Sequence, residues 1–374
     1  MRDNPQHRYW LGLHLLPNFG IVKLSRLLAH FDSPEALWRE TDAAMLGLPL
    51  PPKLLSSYCA ARKTIDLQRE LDKVAAAGAS LVTQDDAAYP ALLRELDDRP
   101  LLLYARGQFA ADDDKRLGVV GTRKASKRGW DAANELAQEL ARHGITIVSG
   151  LAHGIDAAAH RGALAAGGRT IAVMGAGIDI IYPRENKDIA EEILEQGAII
   201  SELPVGSPPL RSNFTQRNRI ISGLAHGVLV AEAPERSGAL NTANHALAQG
   251  RDVFAVPHSY HSISGRGCNR LIQDGAKLVM DVRDILDSLN VTHLAAQSQR
   301  QAERIQPANE TESAILAQLD SDPRHVDEVV RATQLPAATV SGTLALLELK
   351  GLVESAGAMQ YCRPRNLNLQ RQKR

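Results

Sequence analysis

The chain has 374 residues, of which 44% are hydrophobic and 23% are charged, so it is long enough for two or three domains with a substantial core. Lys plus Arg and Asp plus Glu number 43 each, so no overall charge attracts a polyanion, and binding of nucleic acid would depend on local patches. The three cysteines lack the spacing of a disulfide framework or a zinc site, and no segment resembles a signal peptide or a membrane span, so we expect a cytoplasmic protein without a metal.

Residues 1–78 predict a small helical domain. Apolar residues recur with helical spacing between Ile21 and Leu28, and prolines and glycines interrupt the pattern on both sides. Residues 15–23 are typical of a helix-hairpin-helix or SAM-like module. Such modules often contact DNA backbones and equally often serve as adaptors, and the sequence leaves both roles open.

Residues 79–289 predict an α/β domain with a doubly wound, mainly parallel sheet. Short β-branched runs alternate here with helical stretches, and nearly continuous apolar runs of this length suit strands buried on both faces. Residues 81–104 predict an extra strand and turn ahead of the sheet. The main predicted strands are Leu117–Val120, Ile145–Val148, Thr170–Val173, Ala198–Ile200, Val228–Ala231, Val253–Val256 and Lys277–Val279.

The end of the chain predicts a linker and a third domain. Residues 290–309 are polar and read as a linker. Residues 310–364 contain three helical stretches followed by two short strands, which is the order of a winged helix. The third stretch has Lys350 as its cation, so contact with DNA and contact with protein remain open. Residues 365–374 form a basic tail.

The strongest functional signal is the turn after the first main strand. The residues LGVVGTRKAS break at Gly121, and the helix start that follows carries Thr122, Arg123, Lys124 and Ser126. Glycine allows a tight turn and a close approach to a ligand, and free N–H groups at a helix N-terminus favour an anion. The turn therefore predicts a phosphate site, the alternative being an ordinary strand-to-helix turn with surface lysines and no ligand.

Further glycine-bearing turns follow the next two predicted strands. Ser149 and Gly150 begin the first of these turns, and Gly175 and Gly177 belong to the second. The carboxyl ends of parallel strands meet at one edge of a sheet, so these turns would bring backbone donors to a single crevice. One long anion could lie across them.

A second basic element lies in an acid-free stretch, residues 203–231. It contains Arg211, Phe214, Arg217 and Arg219. On a helix, Phe214 and Arg217 share a face and Arg219 points elsewhere. Guanidinium groups for phosphates and an aromatic face for a base are what a single strand requires. The alternative is a solvated helix start with the phenylalanine in the core, and the lack of nearby carboxylates counts against it.

No catalytic set accompanies these elements. The sequence contains no HExxH, GxSxG or Walker motif, and its acids and histidines show no diagnostic spacing. We expect Asp156 to cap or brace its helix. The hexapeptide SGLAHG occurs at residues 149–154 and again at residues 222–227, where we interpret it as a helix ending.

Taken together, these segments resemble the DNA-processing protein A family, also called DprA or Smf. They occur in the family's order across residues 117–279. The matching segments are residues 121–126, 149–160, 175–186, 201–204, 214–221, 230–233 with 237–238, and 267–272.

The resemblance implies that residues 79–289 form an extended Rossmann-like domain. It also implies a homodimer that binds and protects single-stranded DNA in natural transformation and helps load the RecA recombinase after displacing single-strand-binding protein. It also implies no catalysis, no required nucleotide, and no other cofactor. The expected DNA-binding residues are Gly121, Thr122, Arg123, Lys124, Ser126, Ser149, Gly150, Arg211, Phe214, Arg217, Asn218, Arg219 and Gly238.

Two observations bear on this resemblance. Many family members have Pro-Gly where this chain has Pro257 and His258, and we expect the imidazole to narrow or reshape the crevice. The alternative function is that of a Rossmann-type nucleotide-processing enzyme, such as a phosphoribohydrolase. Residues 237–245 lack the glutamate of the motif that those enzymes carry.

Overall fold

The structure is a computed structural model. It describes residues 4–109, 115–290, 310–320, 322–349, 352–357 and 359–363. The chain forms two units, which divide between Leu289 and Asn290. Each is described here by itself.

The described part of the first unit is built on a nine-stranded sheet. Its strand order is β1-β2-β6-β5-β4-β3-β7-β8-β9. The strands are β1 (Ser80–Thr83), β2 (Leu102–Gly107), β3 (Arg116–Val120), β4 (Thr146–Ser149), β5 (Thr170–Met174), β6 (Ala198–Ser201), β7 (Gly227–Val230), β8 (Asp252–Ala255) and β9 (Lys277–Leu278).

The sheet confirms the predicted α/β architecture. Neighbouring strands from β6 to β9 run parallel, whereas β1 pairs antiparallel with β2 and β2 antiparallel with β6. Strands β3 to β7 are buried along their whole length, as the continuous apolar runs predicted. All seven predicted main strands are present. The region over residues 81–104 contributes two strands where the sequence predicted one.

The order of the strands creates a switch point between β3 and β7. The chain steps outward from β3 through β4 and β5 to β6, then returns to place β7 on the other side of β3. The connections that leave β3 and β7 therefore diverge, which opens a crevice beyond the carboxyl ends of these two strands. Ligands of open α/β sheets bind at such points.

Helices pack against the sheet, and six of the described helices precede its first strand. Several of them begin at a side-chain cap, among them α8, where Ser126 accepts a hydrogen bond from the backbone of Gly129. The helices are α1 (His7–His14), α2 (Ile21–Leu28), α3 (Pro34–Arg39), α4 (Asp42–Leu46), α5 (Pro52–Arg62), α6 (Leu67–Ala76), α7 (Ala91–Arg94), α8 (Lys127–Arg142), α9 (Ile155–Ala165), α10 (Lys187–Gln196), α11 (Arg211–Leu224), α12 (Gly238–Ala248), α13 (Arg266–Gln273) and α14 (Arg283–Ser288).

The N-terminal helices share a core with the sheet. Buried Trp10 of α1 belongs to the same apolar cluster as Tyr104 of β2 and Met174 of β5. The indole Nε1 of Trp10 also donates a hydrogen bond to Asp85 Oδ2 at 2.8 Å. Residues 1–78 are helical where the structure describes them, as predicted. Their boundary as a separate domain stays a prediction, and the apolar core continues across it.

The second unit has the elements of a winged helix. Its helices are Glu310–Leu316, Val326–Thr333 and Ala337–Leu349, and its strands are β10 (Arg324–His325), β11 (Glu354–Gly357) and β12 (Gln360–Cys362). The strands form a sheet in the order β10-β12-β11, one strand more than the sequence predicted. Val329, Val340 and Leu344 lie in its core. Lys350 and residues 365–374, together with most of the predicted linker, lie outside the described residues.

A buried histidine in the first unit makes its stability depend on pH. His160 of α9 lies within hydrogen-bond distance of Thr170, with Nδ1 to Oγ1 at 2.7 Å, and burial, with a smaller contribution from the charge of Arg217, lowers the pKa of His160 to about 3. The unfolded state gains a proton near pH 6.5 that the folded state gains only near pH 3. Stability is therefore lost as the pH falls through this range, by about 2 kcal/mol between pH 7 and pH 5.

Urea denaturation of the parent and of His160→Gln at both pH values measures this loss. We expect the parent to lose about 2 kcal/mol more than the variant on acidification, because glutamine does not titrate. An equal loss in both proteins would contradict the assignment to His160.

Candidate nucleic-acid interface

The predicted phosphate turn is present after β3. Thr122 N donates to the backbone oxygen of Glu232 at 2.7 Å, and Ile155 N donates to the backbone oxygen of Thr122 at 3.2 Å. A Cβ at Gly121 would lie 2.5 Å from Ile155 and 2.7 Å from the Glu232 oxygen. Glycine is required here because these two groups leave no room for a Cβ. Both of them belong to the protein itself.

The start of α8 is not a free anion site. Ser126 N donates to Glu232 Oε2 at 2.8 Å, and Ser126 Oγ accepts from Gly129 N at 3.1 Å. The backbone N–H of Lys124 donates to Thr122 Oγ1 at 3.2 Å. The prediction of free N–H groups is therefore wrong for Ser126, because a carboxylate of the chain already occupies that position.

The cations of the turn are exposed. The side chains of Arg123 and Lys124 both reach solvent, and neither forms an ion pair with any acid of the described residues. The Arg123 guanidinium lies over the ring of Phe214, 5.1 Å from its centroid. Arg211 is exposed at the first position of α11, and it too has no ion pair among the residues described. These three side chains are available to an external anion.

Phe214 lies at the centre of an aromatic cluster, defined here as Phe214, Tyr182 and the guanidinium of Arg123. The two rings are 5.6 Å apart between centroids, and Tyr182 is 40% exposed. A Cβ at Gly175 would lie 2.6 Å from the Phe214 ring, so that glycine gives the ring its space. The sequence prediction missed Tyr182. The available signal was its position in the chain between a glycine turn and Arg184, a residue that is exposed in the structure.

Arg217 is buried, with only 6% of its surface exposed. It lies on the same side of α11 as Phe214, as predicted, but its Nη1 donates to the backbone oxygens of Gly150, at 2.8 Å, and Val173. Burial lowers the pKa of Arg217 to about 10, opposed by the charge of Asp156. Arg217 therefore joins the ends of β4 and β5 to α11, and its role as a DNA contact stays a prediction.

Asp156 is the buried acid beside Arg217. Burial raises its pKa, while the charges of Arg217 and Arg123 and a hydrogen bond from Ala152 oppose the rise. The Ala152 N–H donates to Asp156 Oδ2 at 3.4 Å. Asp156 therefore braces the turn ahead of its helix, as expected.

Arg219 is paired with acids. Its Nη2 lies 2.6 and 2.7 Å from the two carboxylate oxygens of Glu202, and its Nε lies 3.6 Å from Asp98. The prediction that these arginines lack carboxylate partners is wrong here, because Glu202 stands just before the acid-free stretch and Asp98 comes from a distant segment. With its side chain only 15% exposed, Arg219 stabilises the fold.

Ser149 and Gly150 are also structural. Ser149 is buried, and its hydroxyl donates to the backbone oxygen of Val119 at 2.6 Å. A Cβ at Gly150 would overlap the guanidinium of Arg217. Both positions are occupied by interactions within the protein, and their assignment as DNA contacts stays a prediction.

Asn218 and Gly238 lie together where α11 meets α12. Asn218 Nδ2 donates to the backbone oxygen of Gly238 at 3.3 Å. Gly238 is exposed at the first position of α12, and the preceding Ser237 caps that helix. Both remain candidate contacts at the margin of the crevice.

Exposed cations collect along the carboxyl edge, defined here as the loops that follow β3 to β8. They include Arg123, Lys124, Arg184, Arg211 and Arg236. Some acids also lie along this edge: Asp179 accepts a hydrogen bond from Gly206 N at 2.8 Å, and Glu185 lies 3.8 Å from His153. Because the Arg123 guanidinium lies over the Phe214 ring, this part of the edge is the best candidate interface.

Comparison with known proteins identifies the family. A profile described as DNA recombination-mediator protein A matches residues 80–290, and a DprA winged helix domain profile matches residues 298–359. The chain belongs to the DNA recombination-mediator protein A family. Protein Smf of Synechocystis sp. is 36% identical over 96% of this chain and 99% of its own length. The resemblance drawn from the motifs is confirmed.

Solved structures of the DprA family share this fold. An X-ray structure of DprA from Streptococcus pneumoniae matches with a TM-score of 0.64 at 37% identity, covering 77% of this chain and 98% of the other. A structure of DprA from Helicobacter pylori, described for its unique single-stranded DNA binding mode, matches with a TM-score of 0.51 at 28% identity, covering 57% and 97%.

The described residues lack two kinds of feature, a membrane-spanning helix and a metal-ligand cluster. No helix there is both long and apolar enough to cross a membrane. Within the same residues, no group of three or more His, Cys, Asp and Glu side chains is placed to hold a metal ion.

Proposed function

We propose that the protein binds single-stranded DNA at the carboxyl edge, with Arg123, Lys124 and Arg211 on the phosphates and the aromatic cluster beside them. The observation that carries this proposal is the set of exposed cations without acid partners around half-buried Phe214. Single strands are bound by this combination of a basic groove and aromatic faces. The Helicobacter pylori relative, described for its single-stranded DNA binding mode, supports the proposal.

The described cations are spread along several loops, which suits a polymer better than a mononucleotide. Arg123 and Lys124 follow β3, whereas Arg211 begins the helix after β6. A strand that lies across the loops reaches them together, and each phosphate neutralised releases counterions. The internal hydrogen bonds of Ser126 also disfavour the alternative of a nucleotide-processing enzyme. We propose that this binding involves neither catalysis nor a cofactor.

Beyond DNA binding, we propose the role of a recombination mediator in natural transformation. In this role the protein protects incoming DNA in the cytoplasm, displaces single-strand-binding protein and helps load RecA, acting as a homodimer. Membership of the DNA recombination-mediator family supports the role. The residues that contact RecA and the second protomer are not part of the proposal.

Fluorescence anisotropy with labelled oligo(dT) tests the DNA-binding proposal. We expect binding that weakens steeply with salt, with a slope of log K against log salt of about −0.7 for each phosphate neutralised. We also expect an unlabelled mononucleotide to compete poorly, because it spans too few of the cations. Salt-independent binding, full competition by the mononucleotide, or release of base from a nucleoside monophosphate would contradict the proposal.

A further inference from the structure

Glu232 is a buried acid at the centre of the switch point. It follows β7 and has 0% of its surface exposed. Its Oε2 accepts from Ser126 N at 2.8 Å and its Oε1 accepts from Ser264 Oγ at 2.5 Å. Among the described residues it has no Lys, Arg or His partner. A buried carboxylate without a cation needs another source of positive potential.

The N-terminus of α8 supplies that potential. The carboxylate meets the first turn of this sixteen-residue helix, where the helix dipole and N–H groups favour an anion. A Cβ at Gly129 would overlap the Glu232 carboxylate, so only glycine leaves it room. Glu232 therefore fills the position in which nucleotide-binding sheets of this kind hold a phosphate, the helix start beside the switch point.

Hydrogen bonds to two other loops hold Glu232 in this position. The backbone oxygen of Glu232 accepts from Thr122 of the loop after β3, and Ser264 comes from the loop after β8. In that same loop, His258 Nε2 lies 2.8 Å from the Ala231 oxygen, and a Cβ at Gly265 would overlap the imidazole. The imidazole is therefore packed against Gly265 within this loop, and its effect on the shape of the crevice stays a prediction.

We propose that Glu232 is a specificity-determining residue, an internal substitute for phosphate that closes the switch point to free phosphate and mononucleotides. The part of this inference that concerns DNA rests on the proposed function. With the helix start closed, the phosphates of a strand remain on exposed Arg123 and Lys124. The exclusion itself depends only on the contacts of the carboxylate and is tested without DNA.

The test is rescue of Glu232→Ala by small anions. Alanine opens a space lined by the Ser126 N–H and the Ser264 hydroxyl, which sodium formate or inorganic phosphate can fill. We expect the melting temperature of this variant to fall in sodium chloride. At equal ionic strength, formate or phosphate should raise it by about 2–4 °C more than they raise that of the parent.

Two further variants make the result specific. Glu235→Ala removes an exposed acid of the same loop and should respond to each salt as the parent does, which corrects for general salt effects. Glu232→Gln keeps the space filled and should show no extra gain. If Glu232→Ala does not fold in chloride, it should be recovered by refolding in formate.

The inference is overturned if Glu232→Ala gains no more from formate and phosphate than the parent, or if Glu232→Gln gains as much as Glu232→Ala. The inference is also overturned if Glu232→Ala fails to fold in formate as it does in chloride. A parent that fails to bind oligo(dT) while the anion rescue succeeds would contradict the proposed function alone.

Discussion

Replacement of Arg217 by methionine is expected to destabilise the first unit by about 3–5 kcal/mol. Methionine keeps much of the buried volume, but it leaves the Asp156 carboxyl without its nearby cation and two backbone oxygens, of Gly150 and Val173, without their donor. Urea denaturation at pH 7 measures the loss.

Two comparisons assign the effect to the buried charge. Arg211→Met changes an exposed residue of the same helix and should alter stability by no more than about 0.5 kcal/mol. Adding Asp156→Asn to Arg217→Met should recover part of the loss, because the uncompensated acid is removed. The error of such a comparison is roughly 1 kcal/mol. If the free energy of unfolding of Arg217→Met lies within that error of the parent's value, the buried arrangement is wrong.

Loss of the exposed cations should weaken DNA binding and leave the fold unchanged. Arg123→Ala and Arg211→Ala are each expected to reduce affinity for oligo(dT) about tenfold at low salt, since an exposed contact to phosphate contributes about 1.4 kcal/mol. Each should also reduce the salt slope by about 0.7. Anisotropy against salt measures both quantities.

Arg142→Ala is the matched control for these variants. Arg142 is also an exposed arginine, but it ends α8 at the opposite edge of the sheet, where it pairs with Glu139. The variant Arg142→Ala should bind oligo(dT) with the same affinity as the parent. Equal affinity of Arg123→Ala, Arg211→Ala and the control would show that the strand does not lie on this edge.

The fold could be predicted from the sequence because its strands carry their own signal. Runs such as Leu117–Val120 are apolar at consecutive positions, which only a strand buried on both faces requires. Glycine and polar residues then mark where each strand ends. Short strands such as β10 were missed, since two residues are too few to show a period.

The site was only partly predictable, because exposure depends on distant segments. Arg123 and Arg217 are equally basic in the sequence, yet one reaches solvent and the other donates to the backbone of two strand ends. Glu202 and Asp98, the partners of Arg219, are 104 residues apart in the chain. No local pattern identifies pairs formed between separate strands and loops, and the same holds for Glu232.

The apolar core that α1 shares with β2 and β5 has a consequence for cooperativity. Trp10 and Tyr104 lose their exposure to water together, so we expect the helices before β1 and the sheet to unfold as one thermodynamic unit. Cutting the chain ahead of β1 would expose Tyr104 and its neighbours along one face of the sheet. A shortened protein of this kind would be prone to self-association unless another apolar surface covered that face.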